Sequence, residues 1–281
     1  MKKHLRLTLA VIILGLILSI FSSFGQTNTA SSGKNLRFTV NGATFEMIFV
    51  KGGTFMLGCY YEQRDWEGDE KPPHSVTLSD FYMGKYEVTQ KLWQAVMGTN
   101  VRQQCDLVDK SYPLRGEGGD YPMCYIDYYE CVEFCGKLNK LLSDKLPKGY
   151  KFRMPTEAQW EYAARGGQKS KGYQYSGSDD IGEVAWYDDN SKRAHEVGLK
   201  DENELGIYDM SGNVLEWCVD WYGKYSSIAQ FNPKGPSSGT YRVLRGGCWF
   251  CPGPLCRVSS RVYLSPDNRT STYGFRLALV P

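Results

Sequence analysis

Gly206-Ile207-Tyr208-Asp209-Met210-Ser211-Gly212-Asn213-Val214-Leu215-Glu216-Trp217 is the stretch on which the reading of this chain turns. Asp209 and Glu216 bracket a Gly-Asn turn, so two carboxylates and several backbone carbonyls fall within eight residues. A hard cation such as calcium takes an all-oxygen set of this kind. A capped turn, in which Asn213 and Glu216 hydrogen-bond the backbone, accounts for the same residues without a metal. Trp217, with Trp221, Tyr222 and Trp160, reads as packing under loops.

Upstream of this stretch the chain alternates short strands with two or three capped helices. Phe38-Thr39-Val40 and Phe45 to Val50 flank Asn41-Gly42, the signal of a tight hairpin. Gly52 to Gly58 reads as a third strand, and Val76-Thr77-Leu78 and Phe81-Tyr82-Met83 continue the series. Thr89 can cap a helix over Gln90 to Met97, with Leu92, Trp93 and Val96 on its apolar face. A second helix is expected from about Asp127 to Leu142, burying Tyr128, Cys131, Val132, Cys135, Leu138 and Leu141. Thr156 with Gln159 three residues on forms a capping box for a short helix that ends near Arg165. Beyond Gly166 the chain is rich in Gly, Asp, Asn, Ser and Pro and is read as ordered loop.

The composition narrows the function classes. With 33 basic and 31 acidic residues in 281, the chain has no basic footprint for nucleic acid. Lys2, Lys3 and Arg6 precede an apolar run, Leu7 to Phe21, and Ser22-Ser23-Phe24-Gly25 offers small residues for cleavage. Residues 1–25 are therefore read as a signal peptide cleaved near Gly25, 26–36 as a flexible linker and 37–281 as one domain. The expectation is an exported protein (periplasmic, cell-surface or secreted) that meets a membrane only through its signal segment. Export permits disulfides, and the nine cysteines leave at least one thiol unpaired in a monomer. Three histidines, none at finger spacing, argue against structural zinc.

Five blocks then occur in order: Gly52 to Gly58, Tyr86-Glu87-Val88-Thr89, Arg153 to Arg165, Gly206 to Trp217, and Arg245-Gly246-Gly247 through Gly274-Phe275-Arg276. Together they resemble the formylglycine-generating enzyme (sulfatase-modifying factor) domain family. The resemblance implies an α+β, loop-rich C-type-lectin-like fold in a single domain. It also implies calcium at Asp209 and Glu216, with the carbonyls of Gly212 and Val214 completing the site. Arg165, Arg245 and Arg276, each beside glycine, are expected to bind loop carbonyls or carboxylates.

The tail divides the functional readings. Oxidases of the family carry two cysteines separated by four residues, which hold copper(I) as thiolates while oxygen converts a substrate cysteine to formylglycine. Cys251 and Cys256 have that spacing, and soft thiolates suit copper(I). On the oxidase reading Cys256 attacks or ligates, Cys251 completes the copper site, Trp249 lines the cleft, and a sulfatase Cys-x-Pro-x-Arg segment is the substrate. Against it, Cys248 replaces the family's serine, and Pro252 to Leu255 and Arg257 to Arg261 lack the oxidase pattern. The interval from Cys256 to Gly274-Phe275-Arg276 is also that of members without the pair.

After Trp249 the chain contains no Lys, Glu, Gln, Met or Trp, and every residue present has a codon ending in a pyrimidine. Retroelements that diversify similar C-type-lectin-like proteins leave this signature. Cys248, Phe250 to Pro252, Leu255, Val262 to Leu264 and Thr270 to Tyr273 would then be variable positions. The reading favoured is a non-catalytic ligand-binding or accessory protein that meets a protein or small molecule through Trp249, Phe250, Leu255, Tyr263 and Tyr273, with the oxidase as the alternative. An exposed apolar patch around Phe250, Leu255, Tyr263 and Tyr273 is expected of it.

Overall fold

The computed structural model describes residues 33–59 and 68–281. The signal-peptide and cleavage expectation lies outside the described residues, as does the first part of the linker. Among the described residues no helix is long and apolar enough to cross a membrane.

The hairpin forms as β1 (Leu36–Val40) and β2 (Ala43–Val50), with Phe38 opposite Phe45. Asn41 (φ 45°) and Gly42 (φ 81°) make the left-handed two-residue turn whose twist matches paired strands. Next come β3 (Gly53–Leu57), β4 (His74–Leu78), β5 (Phe81–Gly84) and β6 (Lys151–Arg153). The later strands are β7 (Ala185–Trp186), β8 (Ser211–Gly212), β9 (Leu215–Trp221), β10 (Gln230–Phe231), β11 (Arg242–Arg245), β12 (Val262–Leu264), β13 (Tyr273–Gly274) and β14 (Ala278–Val280). The largest sheet runs β1-β2-β5-β14-β6, so the C-terminal strand is inserted between two strands laid down far earlier. A second, four-stranded sheet runs β12-β11-β9-β13 and carries the tail.

Two helices, α1 (Gln90–Met97) and α3 (Tyr128–Leu141), cover one face, with a short α2 (Val101–Asp106) between them. Trp93 of α1 stacks on Phe134 of α3 at 5.5 Å, and Phe275 closes edge-on at 5.3 Å from Phe134. The expected face of α3 was partly misassigned. Val132 and Leu141 are 47% and 45% exposed, whereas Phe134 is fully buried with Cys131, Cys135 and Leu138. Phe134 completes the inward stripe of i, i+3 and i+4 positions from Cys131, while Val132 lies off it. The six-residue α2, held by an Asn100–Gln103 capping box, was not anticipated, because it is too short to show a period.

In place of long elements, buried ion pairs tie loops together. The helix α4 (Glu157–Ala164) follows the Thr156–Gln159 capping box and is buried along all eight residues. Its Glu161 pairs with Arg245, which also donates to the carbonyls of Val258, Ser259 and Ser260. Glu157 accepts Arg261 through both oxygens, at 2.7 and 2.9 Å. Arg257 makes the same two-pronged contact with Glu70, at 2.6 and 2.8 Å. Arg165 bonds Glu161 and the Gly58 carbonyl. The glycine-flanked Arg165 and Arg245 thus meet carboxylates and loop carbonyls, as the sequence led one to expect.

Candidate functional site

The site begins where β11 ends. Gly246 (φ 97°) and Gly247 (φ 72°) turn the chain in the left-handed region, which side chains rarely adopt. A Cβ on Gly247 would lie 2.6 Å from Cys256 Sγ and 2.9 Å from the Leu255 carbonyl. The second cysteine of the pair therefore rests directly on the glycine. Beneath the turn lies the Gly206–Trp217 stretch: Trp249 N–H donates to the Asn213 carbonyl (2.8 Å), and Ser211 Oγ donates to the Cys256 carbonyl (2.8 Å). Gly212 N–H reaches Gly246 O at 2.7 Å. The two stretches that the sequence reading treated separately form one unit.

The turn buries three thiols, not two. Cys248, Cys251 and Cys256 are 2%, 9% and 0% exposed. A hydrogen bond with Cys248 and then burial push the Cys251 thiol far above its ordinary pKa. Burial and the neighbouring Cys251 do the same to Cys256. Asp188, the charged side chain acting on both, is an anion and adds to the rise. Copper(I) takes thiolates, and thiolates form where cations or helix N-termini stabilise them. Among the described residues no group of three or more His, Cys, Asp and Glu side chains is placed to hold a metal ion. Cys105, Cys124, Cys131, Cys135, Cys218, Cys248, Cys251 and Cys256 are buried thiols outside any disulfide in this structure. Native protein treated with iodoacetamide at pH 8 is expected to keep Cys248, Cys251 and Cys256 unmodified for minutes while denatured protein reacts fully; peptide mass mapping reads the result. Fast native alkylation of Cys251 or Cys256 would show an activated pair.

The carboxylates expected to hold calcium are engaged elsewhere. Glu216 takes Arg276 on both oxygens at 2.6 Å and the Trp160 indole N–H on Oε2 at 2.7 Å. Three of its roughly four lone-pair positions are thus filled, two of them by a cation that already supplies the compensating charge. Asp209 Oδ2 accepts Gly198 N–H at 2.7 Å. As packed, the set fits an arginine and not calcium. The carbonyl-bearing residues, Gly212 and Val214, are buried in the same turn, and the Val214 N–H is held by Glu87 Oε1 at 3.2 Å.

Glu87 also accepts the Asn213 amide at 2.8 Å. It is fully buried beside Asp209 and Glu216, and burial with these like charges raises its pKa well above the carboxylate range. Burial also lifts Asp209 to about 6. The sequence reading gave Glu87 no role. Its signal was present in the Tyr86-Glu87-Val88-Thr89 block, but the partner is 126 residues away.

At the rim, the expected binding residues divide into two groups. Trp249 is buried, with its indole N–H on the Ser271 carbonyl (3.3 Å) and its ring 5.5 Å from that of Phe250, which is 69% exposed. Tyr273 is half-buried against Trp217, and Leu255 is half-buried against the core. Burial and then the neighbouring Cys248 and Cys251 raise the Tyr273 pKa. Tyr263 stands apart. It lies on β12, stacked on Tyr222 at 3.9 Å, three strand spacings (about 14 Å) from β13. One surface therefore gathers Trp249, Phe250 and Tyr273, and Tyr263 belongs to another.

Comparison with known proteins agrees with this architecture. Residues 34–280 match the model of the sulfatase-modifying factor enzyme 1-like domain. The chain is similar to the chaperone protein LppX of Paenibacillus barcinonensis, at 34% identity over 73% of this chain and 78% of that protein. It is 30% identical over 83% of its length to the serine/threonine-protein kinase pkn1 of Chlamydia caviae, of which it spans only 38%. The formylglycine-generating enzyme of Mus musculus is 27% identical over 84% of this chain and 75% of that enzyme. Among solved structures, Treponema denticola variable protein 1 superposes with a TM-score of 0.75 at 33% identity, covering 88% of this chain and 99% of that one.

Proposed function

The chain belongs to the sulfatase-modifying factor enzyme 1-like domain family, and on that premise we propose that it is a non-catalytic binding protein whose C-terminal surface meets its ligand. The observation that carries this reading is the pattern of exposure along the tail. Cys256 to Arg261 and Gly274 to Val280 are buried framework. The stretches between them reach solvent: Phe250 and Pro252 are exposed, Leu255 half-buried, Val262 to Leu264 half-buried or exposed, and Thr270 to Tyr273 half-buried. Of the positions singled out as variable by composition, only Cys248 and Cys251 are buried. A diversified surface on a constant frame needs this separation, since core substitutions cost stability and surface ones mostly do not. The likeness to a variable protein and to a chaperone supports the same reading.

The ligand is a protein or small molecule engaged by Phe250 and its neighbours, and export is part of the proposal. The oxidase reading draws on the Cys251–Cys256 spacing and on the likeness to formylglycine-generating enzyme. The protonated, anion-flanked thiols weigh against it. Two measurements separate the readings. Copper(I) titration of the reduced protein is expected to give no thiolate-to-copper absorption, and a Cys-x-Pro-x-Arg peptide is expected to keep its mass in air. Sequencing the flanking DNA is expected to find a near-copy of the last codons, differing at adenines in the variable positions and not across Cys256 to Arg261. Peptide conversion, or differences falling on Cys256 to Arg261, would overturn the proposal.

A further inference from the structure

The other end of β9 carries a cavity whose lining includes none of Cys248, Cys251 and Cys256. It has a volume of about 540 Å3 and lies between the start of α4, Asp220-Trp221 at the end of β9, and the loop from Gly223 to Pro236. Most polar groups in its wall are matched. Arg261 spends its guanidinium on Glu157 and on the carbonyls of Asp69 and Gly223. Glu157 also accepts the Tyr225 hydroxyl at 3.1 Å.

Asp220 is the exception. It is 3% exposed, and its Oδ2 accepts the Glu157 N–H at 2.9 Å. Among the described residues its Oδ1 receives no hydrogen bond, and the carboxylate forms no ion pair. A buried carboxylate left half-satisfied is costly unless a donor reaches it. Asp220 lines the cavity, with its Oδ1 beside Gly235. Trp221, Tyr225 and Phe231 supply aromatic walls, and Phe231 is 69% exposed. Lys224 and Lys234 are exposed at the mouth. They oppose a ligand carrying a second positive charge outside.

We propose that this cavity binds a single primary ammonium on an apolar stem, the ammonium donating to Asp220 Oδ1 and the stem lying against Trp221, Tyr225 and Phe231. A protonated amine answers both demands of the site, because it donates hydrogen bonds and neutralises the carboxylate.

The state of Asp220 makes the binding pH-sensitive. Burial and then Glu157 raise its pKa to about 7, while Arg153 and Arg261 pull it back. The other charged or titratable groups around the cavity are His74, Tyr225, Lys224 and Lys234. An ammonium binds the ionised carboxylate, so affinity falls as pH drops below about 7.

The test uses the full chain with n-hexylamine, n-hexanol and hexanoate as probes, followed by calorimetry and ligand-observed NMR. Hexylamine is expected to bind at pH 8, at least tenfold more tightly than hexanol or hexanoate, and to weaken about tenfold by pH 6. Asp220→Asn is expected to abolish that preference without lowering Tm, since the amide oxygen still accepts the Glu157 N–H. Equal binding of hexylamine and hexanol by the unaltered protein would overturn the proposal, whatever the variant does. So would undiminished hexylamine affinity in a folded Asp220→Asn.

Discussion

Arg276→Met is expected to destabilise the protein by about 3–5 kcal/mol, the cost of leaving a buried charge without its partner. Arg276 is fully buried and meets both oxygens of Glu216, and it also donates to the carbonyls of Gly84 (3.1 Å) and Tyr208 (3.0 Å). Three carboxylates, Glu87, Asp209 and Glu216, share this one guanidinium as their near cation. Removing it exposes each of them to the others. Urea unfolding reads the loss, and the double variant Arg276→Met with Glu216→Gln is expected to recover at least half of it. A single-variant loss below about 1 kcal/mol would mean that the pair is no stronger than a surface ion pair.

The pH dependence follows from the raised carboxylates. Burial lifts Asp209 to about 6 and also raises Glu87 well above the ordinary carboxylate range, so above that range and up to these raised pKa values the folded chain holds more protons than the unfolded one. Stability from these groups therefore decreases as pH rises through that window. Without Arg276 the rise in both groups is larger. The deficit of Arg276→Met is accordingly expected to shrink between pH 8 and pH 5.

Gly247→Ala is the second large effect, at roughly 2–4 kcal/mol, from left-handed strain and overpacking together. The new methyl would meet Cys256 Sγ at 2.6 Å and two backbone atoms at 2.9 Å, and backbone cannot rotate away. Gly149→Ala serves as the control. Its φ is +84°, yet nothing lies within 4 Å of the added carbon, so it measures the conformational cost alone. The difference between the two variants is the packing cost, expected to be about 2 kcal/mol. Displacing Cys256 should also open the pocket, so native alkylation of Cys256 is expected to rise in Gly247→Ala and not in Gly149→Ala. Equal losses in the two variants would show that Cys256 does not press on the turn.

Much of the scaffold was legible because its signals are local. The hairpin at Asn41-Gly42, the caps at Thr89 and Thr156, and the glycine-flanked arginines each depend on neighbours a few residues away. The face of α3 was read less well, since Val132 and Phe134 are both apolar and only packing tells which points inward. At the site, the sequence reading marked Cys251, Cys256 and Trp249 as residues to watch. It could not see that Cys248 joins them, that Tyr263 sits three strands away, or that Glu87 and Arg276 hold the turn below.

By itself, then, the sequence determined the order of short elements, the Gly-Gly turn and the family, because those depend on residue type and spacing along the chain. Tertiary structure decided which charge meets which. Arg257 finds Glu70 across 187 residues, Arg276 finds Glu216 across 60, and Asp220 is brought to the wall of a cavity. Such pairings depend on where distant backbone segments are brought together and on how far water is excluded there. Neither is written in local sequence, and both set whether a cysteine pair is reactive or a carboxylate is open to a ligand.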